Sequence, residues 1–242
     1  MATLADPAQS SARILIYDIE STHLKANFGY CLCFGYKLLG AQHTTVLSVT
    51  DYKARHQRHP TDDALLMKDV HRILTNDADI IVSFYGKEFD RKFLNTRMIM
   101  AGLPPLPPLN AEHIDMYYIA RYNLALHSNR LAVVAQVLGC PMEKTALSGP
   151  IWMKAMAGDR PSISYIKDHC ARDVQVLEYV YQKLKPYIRT HPRVQQTLAA
   201  CRVCGGQRLQ RRGLAVRIGK AQRARVQCQD CGTWATRDLP KE

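Results

Sequence analysis

The sequence predicts an α/β domain, a mixed five-stranded sheet flanked by helices, followed by a small metal-stapled module. Three observations carry this expectation. Three strand-like segments occupy the first fifty residues on short connections; the apolar run Ala78 to Phe84 leads through a glycine turn into a helix; and two Cys-x-x-Cys pairs lie near the C-terminal end.

The first strand is Ile14-Leu15-Ile16-Tyr17-Asp18-Ile19-Glu20, and residues 1 to 11 before it are small and polar. Tyr30 to Leu38 and His43 to Val49 read as the next two strands, joined as in a hairpin, so the opening is an antiparallel meander. Asp51 to Pro60 reads as a basic, histidine-rich loop, and Thr61-Asp62-Asp63 as the capped, acidic start of a helix reaching Leu74. Ala78 to Phe84 has the composition of a central strand covered on both faces, and a helix follows from Asp90 to Ala101. The prolines from Pro104 to Pro108 then form a stiff connection. Glu112 to Tyr122 passes from strand to helix, and Ser128 caps a helix that Gly139 stops. Ile151 to Ala157 is helical, and a long helix runs from Ser162 to about Tyr187.

Composition narrows the classes of function. Hydrophobic residues make up 47% of the 242, which suffices for one sizeable core plus an appendage. The expected division is a main domain at 12–188, a linker at 189–199 and a metal module at 200–238. No window of eighteen apolar residues occurs, and the N-terminus lacks the pattern of a secretion signal, so a soluble protein with no membrane partner is expected. Four scattered cysteines among apolar neighbours and four in metal-like pairs indicate a reducing, cytoplasmic compartment, with a bacterial or phage cytosol favoured. The formal net charge is +12, and residues 189 to 242 hold twelve basic against three acidic residues. Such a surface favours a polyanion, because neutralising phosphates releases condensed counterions.

The carboxylates are the chemically informative residues. Asp18 and Glu20 lie two apart on a strand and therefore share a face. Two negative charges side by side repel and lose hydration unless a cation compensates them; a strand end frayed into solvent is the alternative. On the long helix, His169 and Asp173 are one turn apart, facing either a carboxylate cluster or solvent.

Asp18-Ile19-Glu20, Phe84-Tyr85-Gly86-Lys87-Glu88-Phe89-Asp90 and His169-Cys170-Ala171-Arg172-Asp173 follow one another in an order that resembles the DEDD 3′-5′ exonucleases of the ribonuclease H-like fold. The motifs are most similar to those of the proofreading domain of family B DNA polymerases and of YprB-type ribonuclease H-like proteins, over residues 12 to 187. This resemblance implies two Mg²⁺ or Mn²⁺ ions held by Asp18, Glu20, Asp90 and Asp173, with His169 taking a proton from the attacking water. It implies a 3′-5′ exonuclease that releases 5′-mononucleotides from nucleic acid, with DNA and a single-stranded 3′ end favoured. Thr22, His23 and Leu24 then fall where the terminal sugar and base are held, and Tyr85, in place of the usual asparagine, is placed to stack on a base. Asp115 is either an extra ligand or the cap of its helix, the cap being favoured. A non-catalytic nucleic-acid-binding or replication scaffold and a structure-specific endonuclease are the other readings, and a replication or repair protein is a further candidate partner.

In the tail, Cys201-x-x-Cys204 and Cys228-x-x-Cys231 stand twenty-three residues apart, a spacing suited to one structural Zn²⁺ in a zinc ribbon. A redox dithiol or an iron-sulfur cluster is the alternative. Basic residues between the pairs, Arg211 and Arg212 among them, alternate as along a β-hairpin. Followed by Trp234, they form a candidate surface for phosphates and bases.

Overall fold

A computed structural model describes residues 12–107, 112–142, 147–195, 199–215 and 223–238. These divide into two compact units, residues 13–182 and residues 183–238 together with Ala12.

In the larger unit, β1 (Ile14–Ser21), β2 (Cys31–Leu38), β3 (Thr45–Ser48), β4 (Ile80–Ser83) and β5 (Glu112–Asp115) form the expected mixed sheet in the order β3-β2-β1-β4-β5. The first three strands are antiparallel neighbours, whereas β4 and β5 run parallel to β1. Parallel strands need long crossovers, and the chain supplies them as helices: α2 (Ala64–Asn76) before β4 and α3 (Asp90–Met100) before β5. The central strand β1 has a register shift between Glu20 and Ser21, a local irregularity just after its two acids.

Leu15, Tyr17 and Ile19 of β1 belong to one apolar cluster with Leu66, Met67, Val70 and Leu74 of α2 and Phe93, Leu94 and Met98 of α3. The alternate residues Asp18 and Glu20 lie on the other face of the strand. The chain continues through α4 (Met116–Asn123), α5 (Leu131–Val137) and α6 (Gly149–Met156) to the long α7 (Arg160–Leu184). Cys170 of α7 lies against β1, its Sγ 3.6 Å from the Asp18 carbonyl oxygen.

Some local expectations are corrected. The segment expected as a loop from Asp51 contains a short helix, α1 (Lys53–Arg58), which buries no side chain and therefore leaves no apolar period in the sequence. Asp63 precedes α2, but its side chain does not cap it; the carboxylate instead accepts from Cys31 N at 2.8 Å and pairs with Arg97 at 2.7 Å, while Asp62 accepts from Ala64 N. Ser128 accepts from Arg130 N and lies before α5 rather than at its cap, which is Arg130.

The smaller unit carries a three-stranded antiparallel sheet, β6 (Leu209–Ala215), β7 (Arg223–Cys228) and β8 (Trp234–Asp238). The expected basic hairpin corresponds to β6 and β7 with a third strand added, while Val216 to Ile218 and Lys220 lie outside the described residues. Among the described residues no helix is long and apolar enough to cross a membrane.

Candidate active site

The carboxyl ends of the parallel strands β1 and β4 bring the acids together, as open α/β sheets tend to do with functional groups. Asp18 pairs across the sheet with Gly35 of β2, and α7 crosses above that pair. A Cβ at Gly35 would lie 2.8 Å from Cys170 Sγ and 3.2 Å from Val174, so only glycine admits the helix this closely. On the adjoining turn of α7, His169 Nε2 stands 3.7 Å from Glu20 Oε1 and 3.6 Å from Asp173 Oδ2. Cys170 Sγ lies 4.0 Å from Asp18 Oδ2.

Asp90 enters from β4. Gly86 turns the chain after the strand, and Asp90 occupies the first position of α3, 5% exposed. A Cβ at Gly86 would lie 2.9 Å from Asp90 Oδ2 and 2.4 Å from Ser83 Oγ, so the glycine lets the loop close over the acid. Burial and the neighbouring Asp115 push the Asp90 carboxyl up to about 8. Among the described residues its buried Oδ2 has no hydrogen-bond partner. Asp18 is raised well above the carboxylate range, first by loss of hydration and then by the charges of Glu20, Asp90 and Asp173.

Asp115 holds this corner together. Its Oδ1 accepts from Tyr117 N at 3.1 Å, capping α4 as the sequence favoured, and from Tyr85 N at 2.7 Å, while Oδ2 accepts from Lys87 N at 3.1 Å. Tyr85 has φ of 66°, the only positive value at a non-glycine among the described residues. Asparagine adopts that left-handed conformation more readily than tyrosine, which explains in backbone terms why the departure at Tyr85 is unusual.

The other candidate contacts lie around this edge or in the smaller unit. Thr22 closes the loop after β1 by exchanging backbone and side-chain bonds with Tyr30, His23 Nδ1 accepts from Lys25 N, and Leu24 is 78% exposed. Arg97 Nη1 donates to the Ala26 carbonyl from its buried pairing with Asp63, which anchors the same loop. Sequence reasoning missed this anchor, because a loop carbonyl and two charges from distant helices share no local pattern. It also missed the tyrosines of α4, where the Tyr117 ring adjoins Tyr85 and Tyr118 and Tyr122 follow in turn.

The residues of the acid edge fit a divalent cation. Carboxylate oxygens are the donors hard cations prefer, and the orphaned Asp90 oxygen and the mutually repelling Asp18 environment are what a positive charge would relieve. Among the described residues, however, only the four cysteines form a group of three or more whose ligand atoms all lie within 4.8 Å of one another.

That cysteine group is in the smaller unit. Cys201 Sγ and Cys231 Sγ are 3.7 Å apart, as are Cys204 Sγ and Cys228 Sγ. Four sulfurs at about 2.3 Å from a tetrahedral zinc ion stand about 3.8 Å apart, so the set fits structural zinc with no open position. Val203 N and Gly206 N point at the Cys201 and Cys204 sulfurs, each at 3.4 Å, as donors do toward thiolates. Arg211 and Arg212 lie exposed on β6, and the Arg225 guanidinium sits 5.0 Å from the centre of the Trp234 ring.

A family model described as the RNase H superfamily matches residues 15–185. The chain belongs to the RNase H superfamily. No curated protein matches it. Among solved structures, the family B DNA polymerase from the hyperthermophilic archaeon Pyrobaculum calidifontis is similar with a TM-score of 0.54 at 16% identity, covering 73% of this chain. The match covers 26% of that polymerase, and at this identity the likeness is one of fold. Membership of the RNase H superfamily and the acid edge of the sheet support a nuclease-like function.

Proposed function

We propose that this RNase H superfamily member is a metal-dependent 3′-5′ exonuclease that hydrolyses single-stranded ends, DNA favoured, to 5′-mononucleotides. The observation that carries the reading is the convergence of Asp18, Glu20, Asp90 and Asp173, four acids from three separated segments, around one strand end with His169 between two of them. Such a set has no evident structural use, since it destabilises the fold by mutual repulsion.

In this reading Asp18, Glu20, Asp90 and Asp173 would together hold the Mg²⁺ or Mn²⁺ ions, Asp18 as the central ligand, Glu20 and Asp173 beside it and Asp90 from the α3 side. Bound ions of this kind stabilise the charge on the attacking and leaving oxygens of the phosphodiester. His169 stands beside Glu20 and Asp173 and takes the proton of the attacking water. Thr22, His23 and Leu24 contact the terminal nucleotide, with exposed Leu24 offering an apolar face to its base. Arg211 and Arg212 on the zinc-held sheet attract phosphates and raise the local concentration of substrate.

The test is cleavage of 5′-labelled and internally labelled single strands with Mn²⁺ by the full chain and by Asp18→Ala. Mononucleotide release by the wild type, lost in Asp18→Ala with binding retained, is the expected result. Discrete internal fragments would instead indicate an endonuclease, and absence of any cleavage of DNA or RNA would leave the binding-scaffold reading.

A further inference from the structure

The tyrosines beside the acid edge form a continuous line. Tyr85 meets Tyr117 with ring centres 4.8 Å apart, Tyr117 meets Tyr118 at 5.3 Å, and Tyr118 stacks on Tyr122 at 6.1 Å with an interplanar angle of 22°. Tyr85 belongs to the loop that leads into Asp90, and the other three belong to α4. That helix buries Met116 and Ala120 and turns Tyr118 and Tyr122, one turn apart, to the same side. The two ends of the line are exposed, 45% at Tyr85 and 76% at Tyr122, while Tyr117 and Tyr118 between them are half-buried, so none of the four rings fills the core.

The inner rings are fixed from their polar ends. Tyr118 donates its hydroxyl to Glu88 Oε1 at 3.2 Å, and Arg121 Nη1 donates to the Tyr117 hydroxyl at 3.5 Å. Glu88 is matched by Lys92 at 2.6 Å and Asp115 is taken up by backbone N–H groups, while Lys87 and Arg121 are exposed beside the rings. At Tyr85 the left-handed backbone is held by the Asp115 bond and by Glu88 N and Phe89 N donating to the Tyr85 carbonyl. A bulky residue kept in an unfavourable conformation at a site edge, with its ring outward, points to use of that ring.

We propose that Tyr85, Tyr117, Tyr118 and Tyr122 form a stacking track for successive bases of a single-stranded nucleic acid leading away from the acid edge. The occupant follows from chemistry: unpaired bases supply π faces that duplex DNA hides, and flanking cations suit a phosphate backbone on a chain of net charge +12. The track specifies a substrate class, a single strand several nucleotides long read without regard to base identity. Its direction, with the chain end at Asp18 and the track upstream, rests on the exonuclease reading; the track's preference for single strands does not.

The experiment measures binding of fluorescein-labelled oligothymidylate of about twelve nucleotides, and of a duplex of equal length, by anisotropy. It uses the full chain carrying Asp18→Ala to prevent turnover, alone and with Tyr122→Ala, Tyr122→Phe or Tyr118→Ala. A run at high salt suppresses the contribution of the basic sheet. Tyr122→Ala and Tyr118→Ala are expected to weaken single-strand binding roughly 5- to 100-fold each at either salt concentration, with duplex binding unchanged and Tyr122→Phe within about twofold of the parent. Unchanged single-strand binding, equal losses for duplex, or a Tyr122→Phe defect as large as that of alanine would overturn the track. If the losses occur and the chain with Asp18 intact cleaves nothing, the track stands and the exonuclease reading falls; if that chain cleaves and the losses are absent, the reverse holds.

Discussion

The carboxylate of Asp115 accepts the backbone N–H of Tyr85 at 2.7 Å across thirty residues of sequence, and with the same oxygen caps α4. One side chain thereby ties the β4–α3 loop, which carries Asp90, to the helix that carries the tyrosines. Asp115→Ala leaves three backbone donors without this partner. Urea denaturation is expected to show a loss of about 1–3 kcal/mol, with Asp115→Asn nearer the wild type because it keeps an acceptor oxygen.

The backbone at Tyr85 makes a separate prediction. With φ of 66°, a β-branched residue there is worse than tyrosine and asparagine better. Thermal melts should place Tyr85→Val about 1–2 kcal/mol below the wild type and Tyr85→Asn at or above it, even though Tyr85→Asn removes a ring from the track.

Asp90 links stability to cation binding. Because its folded carboxyl titrates at about 8, far above an unfolded aspartate, the folded state keeps a proton that the unfolded chain has released. The stabilisation is complete below about pH 4 and is lost as pH rises through 8. In metal-free buffer at pH 8 to 9, Asp90→Asn should therefore be more stable than wild type by about 1–3 kcal/mol. Added Mn²⁺ should raise the melting temperature of the wild type and have a smaller effect on the variant, which should also lose cleavage.

His113 produces the opposite slope. Burial, with Lys87 and Arg91 nearby, lowers its imidazole to about 3, and its Nε2 lies 2.7 Å from Ser83 Oγ. The unfolded chain takes up a proton near pH 6.5 that the folded chain refuses, so His113 costs stability as pH falls from about 6.5 toward 3. Urea midpoints from pH 4.5 to 7 should fall less steeply toward acid in His113→Gln than in the wild type. Identical slopes would show that the ring protonates without unfolding.

Zinc removal should act on the smaller unit. Cys204→Ser leaves three thiolates, too few to close the site, and the buried cluster around it, Cys201, Val203 and Cys228, is itself mostly metal ligands. Metal analysis should find about one zinc per wild-type chain and little in the variant. Loss of binding to long oligonucleotides should accompany loss of the metal.

Sequence reading reached the sheet because its strands are near-uniformly apolar and its crossovers are helices of ordinary period. It singled out Asp18 and Glu20 by their shared strand face and Asp173 by its spacing from His169, and added Asp90 through the motif order that resembles the DEDD exonucleases. Helix α1 escaped it because all six of its residues face solvent or nearly so, and the Asp63 carboxylate was read as a local cap when its partner was Arg97 of another helix. The tyrosine line was equally hidden. Two tyrosines four apart on a helix, Tyr118 and Tyr122, are ordinary, and only the fold brings Tyr85 against their neighbour Tyr117, more than thirty positions later.

Gly35 gives the acid edge its depth. The helix bearing His169 and Asp173 rests on a position where a single hydrogen stands in place of a methyl group, and the clearance there is already smaller than any side chain needs. The reach of the late acid toward the first strand is thus gauged by an atom that takes no part in chemistry. Any remodelling of the pocket from α7 must first respect that spacer, since thickening it by one carbon lifts the whole lever that carries both groups.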